Sequence, residues 1–206
     1  MGSEGVTGTS LPVLNAHSDL VTDFDFSPFE DGLLATCSAD STVKIWSLSP
    51  NNLNDLSTLS PECVTSSKHR RVENVAFNPI AEYLLGYSAQ NSLTLWDILY
   101  NKEVFHGMVL TVCRLFYPVP ALISVHANVG AITDDSLHDG VIMSVSWTKA
   151  GTLLATCAKD KMVRVIDPRG KQVITSAQSH DNTKDSRVLW LGDSPYILTT
   201  GFDSVS

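Results

Sequence analysis

Six histidines and four cysteines carry most of the chemical reach of this 206-residue chain. His17 is followed by Asp40, and His138 by Asp160, at nearly the same distance. A histidine held by a carboxylate is the base half of a nucleophilic triad, the acid fixing which ring nitrogen carries the proton. His69 has Gln90-Asn91 where that acid should stand. No nucleophile recurs beside these pairs, and the chain has no GxSxG elbow, no GxxxxGK[ST] phosphate loop and no GxGxxG after a strand. Cys37, Cys63, Cys113 and Cys157 form no CxxC pair, so zinc-ribbon spacing is missing. His106 and His126 have no carboxylate at ligand spacing. The expectation is a protein that is not an enzyme, with no catalytic, cofactor-binding or metal-binding residues and no cofactor.

The histidines are instead punctuation. Three segments align: His17 to Trp46, His69 to Trp96 and His138 to Ile166. Leu33-Leu34-Ala35-Thr36-Cys37 returns 120 positions later as Leu153-Leu154-Ala155-Thr156-Cys157. A fourth copy begins at His180. Self-similarity at such a period signals a repeat architecture. Each copy reads as short strands. Val21 to Phe26 alternates apolar and polar, as a half-buried strand does. Leu33 to Ser38 is a more apolar run; Thr42 to Trp46 alternates again, after the turn residues Ala39-Asp40-Ser41. Strands are expected near 20–27, 33–38, 42–47, 72–77, 83–88, 92–97, 141–147, 153–158 and 162–167, with an outer strand in the next apolar run after Trp46. Four strands per unit of roughly 40–45 residues is the pattern of an all-β propeller. One such blade cannot cover both its faces, so neighbours must pack face to face. Cys37 and Cys157 share a repeat position inside apolar strands and read as small core residues without the basic neighbour a reactive thiol needs.

The repeats resemble the WD family, in which a His, a Ser or Thr, an Asp and a Trp form a buried hydrogen-bond network in each blade. The first repeat offers His17, Ser38 or Thr36, Asp40 and Trp46; the second keeps His69 and Trp96; the third keeps His138 and Asp160, with Ile166 in place of Trp. The resemblance implies that these residues are structural.

Longer words narrow the resemblance. "DFDFSPFEDGLLATCSADSTVKIW", "CAKDKMVRVIDPRGKQV" with Asp167-Pro168-Arg169, and "HDNTKDSRVLWLGDSPYILTTGF" are similar to segments of coronins. Ser186-Arg187 before "VLWLG" resembles the long, tandem-propeller members and their first propeller. This implies a seven-bladed WD-repeat propeller, of which about three and a half blades are expected here as an open arc with bare apolar faces at both ends. It also implies a protein-binding scaffold linked to actin cytoskeleton organisation and to Golgi and endosomal traffic. The implied partners are proteins: actin, actin-regulatory or trafficking complexes. The alternative is another WD-repeat adaptor, such as a ubiquitin-ligase substrate receptor.

Composition is consistent with that class. Hydrophobic residues make up 43% and charged residues 17%, as in a globular chain. A formal charge of −8 supplies no basic surplus to displace counterions, which argues against a nucleic-acid partner. Met1 to Ser10 is polar and Gly-rich, unlike a signal peptide, so the expected location is cytoplasmic, in association with cytoskeleton or Golgi membranes. The whole of 1–206 is expected to be a partial propeller with a non-repeat insert at about 107–134. Trp96 to Ile166 spans 70 residues, about 27 more than a regular repeat. Arg114, Pro118 and Pro120 interrupt that stretch, so no transmembrane span is expected.

Overall fold

The computed structural model describes residues 12–52, 56–103, 137–181 and 186–201. The stretch at 107–134 lies outside the described residues. The first blade pairs β1 (Val21–Phe26), β2 (Leu33–Ser38), β3 (Thr42–Ser47) and β4 (Cys63–Ser66) in that order. The second pairs β5 (Val72–Phe77), β6 (Leu84–Ala89), β7 (Ser92–Asp97) and β8 (Lys102–Glu103). The third pairs β9 (Ile142–Trp147), β10 (Leu154–Ala158), β11 (Met162–Asp167) and β12 (Gln172–Gln178). A hairpin of β13 (Arg187–Trp190) and β14 (Ile197–Thr200) follows. The architecture is all-β and antiparallel, a partial propeller of three full blades and a half. Nine of these strands fall within a residue or so of the spans that the apolar runs and alternation mark out.

The outer strands do not follow the apolar pattern. β4 starts at Cys63, after a 3-10 turn at Leu56–Thr58, and every residue of β12 is exposed. A strand on the outer edge has less to bury, so its sequence is free of the core's demands.

Blades pack in series, inner strand to inner strand: β1 against β5, β5 against β9, β9 against β13. The central strand of each blade is the apolar one, and all six residues of β2 are buried. Leu33, Ala35, Cys37, Val43 and Ile45 form one core with Val72, Val75, Phe77 and Leu85 of the next blade. Leu95 of the second blade joins Ile142, Trp147 and Leu154 of the third. Ala155 and Cys157 join Val188 and Trp190. A small residue recurs opposite each incoming aromatic. Ala35, Gly86 and Ala155 hold equivalent register positions, paired with Asp25, Ala76 and Ser146. A Cβ on Gly86 would sit 3.3 Å from Leu95 Cδ2 and 3.6 Å from Trp147 Cζ2, so the missing methyl lets the indole lie close. Gly32 is required for another reason: its φ is +85°, and a Cβ there would meet Leu48 O at 2.0 Å.

β1 alternates, but in the opposite sense to a simple half-buried strand. Phe24 and Phe26 are 63% and 52% exposed. Asp23 and Asp25 face the second blade, where Val75 N donates to Asp23 Oδ2 at 3.1 Å and Phe77 N to Asp25 Oδ2 at 2.8 Å. The same positions of the third blade do the same work: Val188 N donates to Ser144 Oγ and Trp190 N to Ser146 Oγ, both at 3.3 Å. Thr22 Oγ1 donates to Val72 O at 2.6 Å, and Asn74 Nδ2 to Ile142 O at 3.2 Å. An inner strand has a sheet partner on one side only, so its other row of amides needs acceptors. The side chains of the preceding blade supply them. At the far end of the arc, Leu189 and Leu198 are 56% and 47% exposed.

Candidate functional site

The chemistry-bearing residues meet where each blade's inner strand begins, against the turn between its second and third strands. In the first blade, His17 Nδ1 lies 3.0 Å from Asp40 Oδ2 and His17 Nε2 lies 2.8 Å from Thr36 Oγ1. Trp46 Nε1 donates to the same Thr36 oxygen at 2.9 Å. Proton directions follow from the ends. Indole N–H can only donate, so Thr36 accepts from Trp46 and gives its own hydrogen to His17 Nε2. The imidazole proton is then on Nδ1, donated to Asp40. The other carboxylate oxygen accepts from Thr42 N at 3.0 Å and from Thr42 Oγ1 at 2.6 Å. Ser18 N adds a further donor to Oδ2.

Of the two hydroxyls left open by the sequence, Thr36 occupies the bridge. Ser38 instead accepts from Asp40 N at 3.0 Å and donates to Asp19 O at 3.3 Å, bracing the turn from behind. Thr36, and not Ser38, is therefore the hydroxyl between His17 and Trp46. Position along the strand explains the choice: Thr36 and Ser38 share one face, but Thr36 is the diagonal neighbour of Trp46, which pairs with Leu34, while Ser38 lies at the strand's end beside the turn.

The third blade repeats the core of this arrangement. His138 Nδ1 is 2.9 Å from Asp160 Oδ2 and His138 Nε2 is 2.8 Å from Thr156 Oγ1. Ile166 brings no indole, but Arg164 enters from the position that Lys44 holds in the first blade, and its Nη1 donates to Asp160 Oδ2 at 2.6 Å. His180 Nε2 lies 3.2 Å from Thr199 Oγ1, the register equivalent in the final hairpin.

The second blade departs. Its register places Tyr87 at the position that Thr36 holds in the first blade and Thr156 in the third, and the β6–β7 connection is one residue shorter than its counterparts. Gln90, at φ 54°, opens that turn and no acid is present. His69 contributes a backbone N–H to Ser67 Oγ at 3.0 Å. Trp96 Nε1 is buried without a hydrogen-bond partner. His69 and Trp96 are thus not brought into one network. The residues missed by sequence reasoning are Thr156, Thr42, Thr199 and Arg164. The Thr-Cys word shared with the first blade was the available signal for Thr156.

Electrostatics fit a structural role. Burial lowers the His17 and His138 pKa values, and the hydrogen bonds to Asp40 and Asp160 only partly oppose it. Both side chains are fully buried, which disfavours the charged imidazolium. Burial alone would raise the Asp40 carboxyl, but donors from Thr42, Ser18 and His17 hold it well below the usual carboxylate range. Asp160 is likewise lowered against its burial, by Arg164, His138 and Met162 N. Burial pushes the Cys37 thiol up to about 12 and the Cys157 thiol up to about 11, so neither is a ready nucleophile. Among the described residues, no group of three or more His, Cys, Asp or Glu could hold a metal ion. No described helix is long and apolar enough to cross a membrane.

What remains accessible is surface. An open groove of about 400 Å³ runs over the ends of the inner strands, lined by Phe24, Asp25, Phe77, Trp147, Lys149 and Trp190 among others. Lys149 and Asp193 pair across its rim at 2.8 Å.

Comparison with known proteins follows the same lines. The WD domain, G-beta repeat family matches residues 8–47 and 135–167. Coronin-7 of Bos taurus is 32% identical over 204 residues, which is 98% of this chain and 19% of that protein. Coronin-7 of Homo sapiens is 34% identical over 193 residues, 93% of this chain and 18% of that protein. The chain therefore spans about a fifth of the length of these relatives. The WD40 domain of Toxoplasma gondii coronin shares the fold, with a TM-score of 0.70 at 24% identity, covering 90% of this chain and 42% of that one. The chain carries WD40 repeats and is homologous to coronin-7 and other coronins over nearly its whole length.

Proposed function

We propose that this chain is a non-enzymatic, protein-binding scaffold that acts in actin cytoskeleton organisation. The observation that carries the reading is where the chemistry-bearing side chains have gone. His17 and His138 are fully buried, each closed between a threonine and an aspartate that serve their own blade. Nothing in these networks is aimed at a ligand, so recognition falls to the loops and grooves that the rigid blades hold in place. Similarity to coronins over 98% of the chain supports actin filaments as the partner class. The link to Golgi and endosomal traffic rests on the resemblance to the long tandem-propeller coronins.

Co-sedimentation tests the actin reading. The purified chain should pellet with actin filaments in a saturable, salt-sensitive manner, and remain in the supernatant without them. A chain that stays in the supernatant at every filament concentration refutes this partner. Colocalisation of the tagged chain with Golgi markers, lost in a variant that no longer co-sediments, tests the trafficking part.

A further inference from the structure

Four serines stand directly before a proline: Ser27, Ser49, Ser60 and Ser194. That dipeptide has two uses. A proline at the second position of a turn fixes the chain reversal. A serine followed by proline is also what a proline-directed protein kinase accepts, provided that the serine is extended and its hydroxyl can be reached. The fold divides the four between these uses. Ser27 N donates to Leu33 O at 2.9 Å, and its Oγ accepts from Phe29 N at 3.2 Å. Ser49 O accepts from Asn52 N at 3.0 Å, and Ser49 N donates to Asn52 Oδ1 at 2.9 Å. Ser194 Oγ donates to Leu191 O at 2.6 Å and accepts from Tyr196 N at 3.4 Å. These three are half-buried, and their own atoms close the chain reversals around them. Ser60 is exposed, lies in neither turn nor bend, and forms no hydrogen bond with the other described residues. Pro61 biases it towards extended backbone. Its neighbours hold it up: Leu59 packs against the cluster of Ala16, Leu34 and Trp46, and Glu62 N donates to Ile45 O at 2.8 Å.

We propose that Ser60 is a phosphorylation site for a proline-directed protein kinase, and that phosphate there loosens β4. In the transfer, Ser60 Oγ attacks the γ-phosphorus of ATP. The new O–P bond forms as the bond from that phosphorus to the β–γ bridging oxygen breaks. ADP leaves with the electron pair, and the hydroxyl proton passes to the kinase's catalytic carboxylate. The phosphoserine carries a charge of about −1.5 to −2 at pH 7. It adjoins the apolar seat of Leu59 and stands close in sequence to Glu62. Both placements are unfavourable, since the phosphate resists dehydration and repels a carboxylate. The elements beside it are slight: a 3-10 turn at Leu56–Thr58 and the four-residue outer strand Cys63–Ser66. Short edge elements open at less cost than the strands they cover. The strain is relieved when the turn and β4 lift from β3 while β1 to β3 stay packed on the second blade.

The test incubates the folded full chain with ATP and, in separate arms, a cyclin-dependent and a mitogen-activated protein kinase. Phosphoryl groups located by mass spectrometry should fall on Ser60 and leave Ser27, Ser49 and Ser194 unmodified. Ser60→Ala and Pro61→Ala should each abolish the transfer, whereas Ser49→Ala should not. On phosphorylation, Cys63–Ser66 should lose hydrogen-exchange protection while β5 to β7 keep theirs. Transfer to any other Ser-Pro, transfer to Ser60 that survives Pro61→Ala, or no transfer in either arm overturns the site. A fully phosphorylated chain with unchanged protection in β4 overturns the loosening.

Discussion

Thr36 joins the two halves of the first blade's network, because it relays between Trp46 and His17. Replacing its hydroxyl by a methyl in Thr36→Val keeps the shape and leaves an indole N–H and an imidazole nitrogen buried without partners. The expected loss is about 1–3 kcal/mol, measured by chemical denaturation. An unchanged midpoint would mean that the network does not form. The second blade provides the matching control. Trp96 Nε1 already lacks a partner, whereas Trp46 Nε1 has one. Trp96→Phe should therefore cost less than Trp46→Phe, by about 1 kcal/mol, although both rings are buried. The histidines set the pH response. A histidine whose folded pKa is below 6.5 binds fewer protons folded than unfolded. Its contribution is fully present above that value and is lost as pH falls through it towards the lowered folded value. Stability of the wild type should decline as pH is taken from 7 towards about 5, and His17→Gln should flatten that slope. Equal slopes in both proteins would show that His17 is not held neutral.

The strand ladder between blades operates at the next scale. Asp23 and Asp25 accept backbone donors from β5, yet burial still raises their pKa values, so each carboxylate is held in a partly dehydrated place. The sign is opposite to that of Asp40. A raised folded pKa means that the charged form costs stability above it, and that the cost disappears as pH falls towards 3.8. Asp25→Asn keeps a carbonyl oxygen for Phe77 N and removes the charge. It should raise the unfolding midpoint at pH 7 and make no difference near pH 4, as read from melts at the two pH values. A lower midpoint at pH 7 would mean that the carboxylate's hydrogen bond outweighs its dehydration. The outer strands carry none of this ladder, which is why β4, β8 and β12 vary in length while the inner strands hold to four or six residues.

At the scale of the whole molecule, each blade touches only its neighbours, as in other repeat proteins, so the weakest interface decides cooperativity. The contact between the second and third blades depends on Trp147. Its ring lies over Gly86, and its Nε1 donates to Ala76 O at 3.3 Å. Trp147→Ala should cost about 3–5 kcal/mol and split one unfolding transition into two, visible by hydrogen exchange as separate protection of β1–β7 and β9–β14. A single transition, merely shifted, would show that the arc unfolds as one body.

Much of this could be read from the sequence because the signals were local. Alternation and apolar runs set nine strands, the recurring Leu-Leu-Ala-Thr-Cys set the repeat, and His17, Asp40, His138 and Asp160 marked where each blade closes. Choices that depend on what a residue meets across a ladder or a blade were left to the tertiary structure. Thr36 and not Ser38 became the bridge because, of two residues on one face, it is the diagonal neighbour of Trp46 while Ser38 sits at the turn. Asp23 and Asp25, which read as the solvent side of an amphipathic strand, turned towards the next blade because that blade's inner amides needed acceptors. Periodicity states that two faces differ; only the neighbouring blade determines which of them is buried.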